Sequence, residues 1–435
     1  MTLSSRFWRD RAWWMRWFAP LGALVVSVLI TARAHLHYLF PYATPVSNDE
    51  GYISAFAIRL IQGHWLPYVD AISQRGPVLY WIAAVAMKIG GIFSWVPIRL
   101  LALTMGLSTV ALTFLVALEF FTPMAAALAS LAVTYLLNYE LNPWDGVGYN
   151  GEIVAMQFVL ASFLAISRAQ RGPTPRRDRW IVAAGVLGAL AGLSKQVTLI
   201  HMAPVALWLA IGRADVSESL RDRRRDLARY LAGFAVPYAL VLGVYTLSGH
   251  LGDFIYYYQR HGREIFMAPV TGEYMREKIR EQIDKYFFSI AGFSAMGFYA
   301  LARALKTFLE DPSPGLARWR AHAPSLFTVA QFALAAFGAS FTWRFFPHYF
   351  VQVHPIAALV AGMTFAPAFT PAAPAEGDDE PSARRRTYAS FVVRNQELAI
   401  VADTGAVVNV DGAIRVSGVA ATRSVLLQGL RSVET

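Results

Sequence analysis

The sequence has no cysteine and few charged residues. The absence of cysteine among 435 residues excludes disulfides, thiolate nucleophiles and cysteine-based metal sites. Charged residues make up only 16% of the chain, whereas a soluble domain usually carries about 25%. Hydrophobic residues reach 56%, and the mean hydropathy is +0.39. This composition is not that of a soluble domain and predicts an all-α polytopic membrane protein.

Apolar segments recur along most of the chain and predict a bundle of about 10–11 transmembrane segments. No small-residue cleavage site follows the first segment, so we interpret it as a membrane anchor and not a signal peptide. The segments are 19–39, 77–93, 99–118, 122–138, 152–168, 180–194, 196–211, 230–248, 287–305, 324–342 and 349–369.

The net charge of +10 has two readings, nucleic-acid binding and membrane topology. Topology is favoured because the basic residues lie in short stretches between apolar segments, as in cytoplasmic loops of membrane proteins. These stretches are residues 1–18, the loop 168–179, the run that begins at Arg221, and residues 303–320. We therefore predict that they lie inside and that the protein binds no nucleic acid.

Counting crossings from the inner N-terminus places Asp49 and Glu50 outside. The loop 168–179 is inside, so an even number of segments must cross between Glu50 and Glu152. Three apolar segments lie there, and one therefore does not span. We choose 77–93 as a re-entrant helix, because it starts at Gly-Pro and ends at Gly-Gly.

The same count gives the predicted organisation of the chain. Residues 1–18 form a basic cytoplasmic N-terminus, 19–370 a transmembrane domain, and 371–435 a cytoplasmic linker with a small tail. Within the transmembrane domain, 41–93 is a structured first outer loop and 249–286 a second outer loop. In the first loop, an amphipathic helix over 52–62 carries an apolar stripe of Ile53, Phe56, Ala57, Leu60 and Ile61.

The segment 180–211 starts and ends at basic loops, so it must turn back on itself. We predict a tight hairpin with Lys195 near its outer turn. The tail alternates apolar and polar residues after residue 390, with Val-Asp-Gly as a hairpin turn. A small β appendage and an unstructured tail both remain open there.

Most of the unusual polar groups lie on the predicted outer face. Charges at a membrane edge are energetically costly, so they indicate a candidate functional site. Structural alternatives remain for several of them. The acids could cap helices, Lys195 could reach the lipid headgroups, and Arg344 could be an interfacial residue. The groups are Asp49, Glu50, Arg75, Glu140, Asp145, Glu152, Lys195, Arg344 and His348.

Carboxylates suit a general base or a hard divalent metal with oxygen ligands. Arginine and lysine suit a phosphate held at the membrane surface. An acid beside a bound phosphate leaving group is what glycosyl transfer from a lipid-phosphate sugar requires.

Four stretches resemble the GT-C glycosyltransferases, and most closely the dolichyl-phosphate-mannose protein mannosyltransferase and aminoarabinose transferase branch. The acidic pair in "NDEGY" opens juxtamembrane helices, and Arg75 precedes the Pro of a short helix. Glu152 matches the second outer acid. "GLSKQVTLIHMAP" contributes Lys195, and "RFFPHYFVQVHPIAALVAG" contributes Arg344 and His348. The resemblance covers roughly residues 20–365.

The resemblance implies a glycosyltransferase that moves a sugar from a polyprenyl-phosphate donor to a lipid, glycan or protein acceptor. It implies transfer on the outer face of a bacterial inner membrane. Asp49, Glu50 and Glu152 would be catalytic, and Asp49 and Glu152 would hold a divalent metal such as Mg²⁺ or Mn²⁺, if one is used. Donor phosphate would contact a set of cations, namely Arg75, Lys195, Arg344 and His348. Gln74 departs from the pattern, since some relatives carry an acid there.

Two other classes remain open from sequence. A transporter or lipid flippase could use the same charges as a path for an ion or a headgroup. A non-catalytic membrane assembly subunit could retain acids that no longer react. A transporter would show internal repeats and charges near mid-bilayer, and neither is visible in this sequence.

Overall fold

The computed structural model describes most of the first 365 residues. The described ranges are 3–39, 47–140, 146–171, 174–213, 219–261, 264, 271–340 and 347–365, with three short strands in the tail. Two compact units are present, residues 1–366 and 367–435, and each is described by itself.

The first unit is helical. Its α-helices are α1 Leu3–His37, α2 Asn48–Gln62, α3 Pro77–Gly90, α4 Val96–Phe120, α5 Pro123–Tyr135, α6 Gly151–Arg171, α7 Thr174–Ser194, α8 Met202–Ile211, α9 Leu220–Leu247, α10 Leu251–Phe254, α11 Gly272–Glu310, α12 Gly315–Ser340 and α13 His354–Phe365. Tighter or wider helical turns lie at Leu136–Glu140, Gln196–His201, Ile255–His261 and Pro347–Gln352.

Within these ranges, five helical stretches are long and apolar enough to cross a membrane: Trp17–His37, Val96–Phe120, Gly151–Gln170, Leu220–Leu247 and Gly315–Ser340. Four shorter apolar ones accompany them: Pro77–Gly90, Pro123–Tyr139, Gln196–Ile211 and His354–Thr364. The all-α, polytopic membrane class is thus confirmed, and the protein crosses the membrane several times.

Helix α3 is shorter than the other two apolar helical stretches between Glu50 and Glu152, which are Val96–Phe120 and Pro123–Tyr139. Its 14 residues span only about 21 Å at 1.5 Å per residue, against a hydrocarbon core of about 30 Å. Pro77 starts it and Gly91, with φ of 109°, ends it. Its length agrees with the re-entrant assignment, which stays a prediction.

Helix α2 packs one face into the protein, as the apolar stripe predicted. Ile53, Phe56, Ala57 and Leu60 are buried in a core with residues of α3 and α4. The Phe56 ring stacks on Tyr80 of α3, with ring centroids 3.8 Å apart. The two helices therefore pack together as one unit.

The predicted hairpin around Lys195 is a helix break. Helix α7 ends at Ser194, Lys195 is extended, and the turn Gln196–His201 leads into α8. The predicted span 287–305 is the second half of the 39-residue α11, which begins at Gly272 inside the segment predicted as an outer loop. The charged first half of α11 hid this helix from a search for apolar runs.

Arginines on the predicted inner side donate hydrogen bonds to backbone carbonyls at the C-terminal ends of helices. Arg223 and Arg320 donate to the carbonyls of Ala210 and Ile211, at the end of α8. Arg303 donates to the carbonyl of Thr364, near the end of α13. The last carbonyls of a helix lack partners within it, so these arginines have a structural role as well as a topological one.

The tail unit contains a three-stranded antiparallel sheet in the order β1-β2-β3. The strands are β1 Ile400–Val401, β2 Ala406–Val408 and β3 Arg415–Ser417. Val408 of β2 pairs with Arg415 of β3. The predicted Val-Asp-Gly turn at 410–412 lies outside the described residues. These strands favour the β appendage, and its cytoplasmic location stays a prediction.

The absence of cysteine makes the predicted topology easy to test with single-cysteine variants. Gln62, exposed at the end of α2, and Leu220, exposed at the start of α9, lie on opposite predicted sides. We expect Gln62→Cys to react with a membrane-impermeant maleimide on intact cells, and Leu220→Cys to react only after permeabilisation. Labelling of Leu220→Cys in intact cells would reverse the orientation.

Candidate active site

Helix α2 presents its acid pair from the first turn without using either residue as the cap. Ser47 is the N-cap, and its hydroxyl accepts a hydrogen bond from the backbone N–H of Glu50 at 3.1 Å. The alternative in which Asp49 or Glu50 acts only as a cap is therefore wrong. Both carboxylates are left for other partners while they still benefit from the positive end of the helix dipole.

The two neighbouring acids point to different partners, since consecutive residues on a helix lie about 100° apart. Asp49 Oδ1 accepts from Arg75 Nη2 at 2.5 Å, and both side chains are mostly shielded from solvent. Glu50 Oε1 accepts from Arg99 Nε of α4 at 3.1 Å, in a fully buried pair. Glu50 thereby ties α2 to α4, and Asp49 faces the predicted cations.

Glu152 repeats this arrangement at the start of α6. Asn150 Oδ1 accepts from the backbone N–H of Ile153 at 2.8 Å and supplies the cap. Glu152 is thus not the cap, and its Oε1 lies 2.7 Å from Lys195 Nζ in a buried ion pair. Lys195 is 5% exposed, which rules out the alternative in which it reaches the headgroups.

Arg75 and Lys195 are brought together by a close backbone contact. The N–H of Gly76 donates to the carbonyl of Ser194 at 3.3 Å. A Cβ at Gly76 would lie 1.9 Å from the carbonyl oxygen of Leu193. Only glycine permits this approach, and it places the residue before α3 beside the residue after α7.

His348 and Tyr349 complete the site from the turn Pro347–Gln352. One ligand atom each of Asp49, Glu152 and His348 lie within 4.8 Å of one another. Lys195 Nζ lies 5.1 Å from the centre of the Tyr349 ring, within the range of a cation–π contact. His348, predicted as a phosphate contact, therefore also belongs to a group that could hold a metal ion.

The charges around Asp49 decide its protonation. Burial acts to raise the pKa of this carboxyl, but Arg75, His348 and Lys195 outweigh it and hold the pKa below its ordinary value. Asp49 is therefore ionised at neutral pH. An ionised carboxylate can accept a proton or bind a metal cation.

Apart from Glu152 Oε1, which is in the ion pair with Lys195, three polar atoms of the site are buried and have no hydrogen-bond partner within the described part of the chain. They are Asp49 Oδ2, Arg75 Nη1 and Glu152 Oε2. Such atoms are costly in a folded protein. Two oxygens and one guanidinium nitrogen are thus available for an incoming ligand.

Some predicted residues cannot be placed. Arg344 and Asp145 lie outside the described residues, as does the side chain of Glu140. Their roles stay predictions.

Solved structures of known proteins share this fold. The crystal structure of ArnT from Cupriavidus metallidurans bound to undecaprenyl phosphate has a TM-score of 0.55 and 16% identity, over 79% of this chain. The Archaeoglobus fulgidus oligosaccharyltransferase in its apo form has a TM-score of 0.51 and 14% identity, over 80% of this chain. At these identities the likeness is one of fold.

A family model described as dolichyl-phosphate-mannose-protein mannosyltransferase matches residues 74–239. The match contains Arg75, Glu152 and Lys195. Over those residues, the chain is similar to this mannosyltransferase family. Together with the shared fold, the match agrees with the resemblance to GT-C glycosyltransferases inferred from the acid and cation motifs.

This chain spans only part of the proteins it matches, namely 60% of ArnT and 50% of the oligosaccharyltransferase. A comparison with curated proteins gives no match. The family model and the shared fold are the relationships on which the following proposals draw.

Two residues that shape the site were missed by sequence reasoning. Arg99 lies within a segment predicted to span, where a buried charge is itself a signal. Gln196, the residue after Lys195, carries no charge or motif that would have singled it out.

The Gly76 contact predicts an unusual sensitivity to one methyl group. We expect Gly76→Ala to lower the free energy of unfolding by about 1–3 kcal/mol, the usual cost of overpacking. We also expect it to weaken ligand binding, because it separates Arg75 from Lys195. Unfolding in detergent measures the first effect.

Gly243→Ala is the matched control, because no atom lies within 4 Å of the added Cβ in α9. A helical glycine without such contacts tolerates alanine, which is about 1 kcal/mol better in a helix interior. Equal stability of the two variants would show that the α3–α7 contact is not tight.

Proposed function

We propose that this protein is a membrane glycosyltransferase that moves a sugar from a polyprenyl-phosphate donor to an acceptor hydroxyl. The observation that carries the proposal is the convergence of Asp49, Arg75, Glu152, Lys195 and His348 on one buried site. These groups come from five separate places along the chain. They combine the base and the cations that this reaction needs.

The cations act on the donor phosphate. Arg75 Nη1 has a free donor, and Lys195 is a second positive charge in a shielded site, where phosphate contacts are strong. In the reaction the acceptor oxygen bonds to the anomeric carbon, and the bond from that carbon to the phosphate oxygen breaks. The departing phosphate gains a negative charge, which Arg75 and Lys195 stabilise.

Asp49 receives the proton that the acceptor hydroxyl loses. Its free oxygen, Oδ2, is the atom that faces the incoming hydroxyl in this proposal. Glu50 was predicted to share the catalytic role, but its carboxylate is held by Arg99. We assign it the task of fixing the rotation of α2, so that Asp49 faces the site.

The same atoms also fit a divalent metal, and Asp49 would then be a ligand of the metal instead of the base. Asp49 Oδ2 and Glu152 Oε2 are buried without hydrogen bonds, and His348 is close enough to be the third ligand. An imidazole in the set favours Mn²⁺ or Zn²⁺ over Mg²⁺. A bound divalent cation supplies charge that favours ionisation of an acceptor hydroxyl.

The structural relatives support the donor class. ArnT was solved with undecaprenyl phosphate, and the archaeal oligosaccharyltransferase AglB with a dolichol-phosphate and an inhibitory peptide. We propose a polyprenyl carrier of the same kind for this chain, with a lipid, glycan or protein as acceptor. We further propose, from the charge count, that the site faces the outside and, from the family resemblance, that the membrane is a bacterial inner membrane.

The test of the proposed function is an assay of the purified protein in nanodiscs with a panel of polyprenyl-phosphate sugars. Wild-type protein should release polyprenyl phosphate, and Asp49→Asn should lower turnover about 100- to 10,000-fold, the usual contribution of a general base. The helix cap survives this change because Ser47 supplies it.

Asp253→Asn is the control, since it makes the same acid-to-amide change at a half-exposed position of the predicted outer segment. It should retain wild-type turnover. Near wild-type turnover by Asp49→Asn would remove Asp49 from the chemistry. Absence of release from every donor by the wild type would favour transport or an assembly role.

The phosphate contact of Lys195 has its own prediction. Lys195→Met should weaken binding of undecaprenyl phosphate about 10- to 100-fold, because one charge-assisted contact of about 1.5–3 kcal/mol is lost. The single variant also leaves Glu152 buried and unpaired, at a cost to folding of about 3–5 kcal/mol.

The double variant Lys195→Met, Glu152→Gln separates these effects, since it removes both charges. We expect it to recover most of the stability but not the affinity. Lys88→Met, at the far end of α3, is a control for the loss of a lysine. Wild-type affinity in the double variant would exclude Lys195 from the phosphate site.

A further inference from the structure

Gln196 joins three segments around the site. Its side-chain Nε2 donates to the backbone carbonyl of Gln74 at 2.6 Å and to that of Tyr258 at 2.8 Å. Gln196 directly follows Lys195, and Gln74 directly precedes Arg75. One amide group therefore bridges the backbones that carry the two phosphate-binding cations.

The third segment is the turn Ile255–His261, which follows α10. The Tyr258 hydroxyl donates to the carbonyl of Gly192 in the last turn of α7, at 3.0 Å. Tyr258 thus contacts the chain on both sides of Lys195, through its hydroxyl and through its carbonyl. The turn is held against the helix break by hydrogen bonds and not by apolar packing alone.

We propose that Gln196 is a positioning residue that sets the spacing between Arg75 and Lys195, so that both cations reach the same phosphate. The proposal rests on the proposed function, because it concerns the phosphate site of that reaction. An amide NH₂ has two donors, and both are used here. A leucine of similar size has none, and a glutamate would turn acceptor oxygens toward two carbonyl oxygens.

A second contact argues that the fold survives without Gln196. The Gly76 N–H to Ser194 carbonyl bond also joins the start of α3 to the end of α7. Loss of the Gln196 bonds should therefore loosen the spacing of the cations without separating the two helices. Because phosphate affinity depends on both cations acting together, binding should suffer more than stability.

The test measures the affinity of undecaprenyl phosphate in nanodiscs. Gln196→Leu should weaken binding roughly tenfold, at the lower end of the effect of losing one charge-assisted contact. The matched control is Gln157→Leu. Gln157 Nε2, on α6, also donates to one other segment, namely to Thr109 Oγ1 and the Met105 carbonyl of α4. Its hydrogen bonds within the described residues involve no residue of the proposed site. We expect Gln157→Leu to lose about as much stability as Gln196→Leu and to keep wild-type affinity for undecaprenyl phosphate.

A double-mutant cycle distinguishes a positioning role from a merely structural one. It compares the loss of affinity that Gln196→Leu causes in two backgrounds. In the Lys195→Met, Glu152→Gln background, Gln196→Leu should cause little further loss of affinity, because the cation whose place it sets is gone. Equal losses in the two backgrounds would overturn the positioning role. So would wild-type affinity in Gln196→Leu.

The outcomes also separate this inference from the proposed function. If the Lys195 double variant binds weakly and Gln196→Leu binds like the wild type, the phosphate site stands and the positioning role is wrong. If the Lys195 double variant binds like the wild type, the phosphate site itself is wrong, and the role of Gln196 fails with it.

Discussion

The site depends on one close contact, where the backbone at Gly76 meets the end of α7 at Leu193 and Ser194. No side chain larger than hydrogen fits at this point. Because α3 starts and α7 ends there, the flanking residues Arg75 and Lys195 become neighbours although they are far apart in the chain. Two arginine or lysine charges placed together in a shielded site repel each other, so the contact must be stabilised by what surrounds it.

The surrounding carboxylates provide that stabilisation. Arg75 is paired with Asp49, and Lys195 with Glu152. Both acids stand in the first turn of a helix whose cap is another residue, Ser47 or Asn150. There is a physical reason why one residue caps the helix and another forms the ion pair. A carboxylate that caps its own helix has less freedom to pair across the site. Each helix start thus contributes an acid that is stabilised by the dipole and still available to a partner.

Sequence patterns predicted the charged side chains of the candidate site better than their surroundings. Charges in an apolar chain stand out, so Asp49, Arg75, Glu152 and Lys195 could be found from residue type and topology alone. The caps followed general preferences, yet three-dimensional contacts were needed to show that Ser47 leaves Asp49 free. Arg99, the partner of Glu50, was not predicted, because it is the first residue of an apparent span. Only the second half of helix α11 was predicted, because its charged first half contains no long apolar run.

Neutral backbone contacts are the least visible feature of such a site. Gln196 and Tyr258 carry no charge and act through carbonyl oxygens, which every residue has. Nothing in the residue types distinguishes them from other glutamines and tyrosines in the chain. Yet in the proposed function such bonds would set whether two cations reach the same phosphate, since a displacement of about 1 Å in a reacting geometry can cost about 100-fold in rate. The charges determine what the site can bind, and the neutral contacts determine whether those charges act on the same ligand.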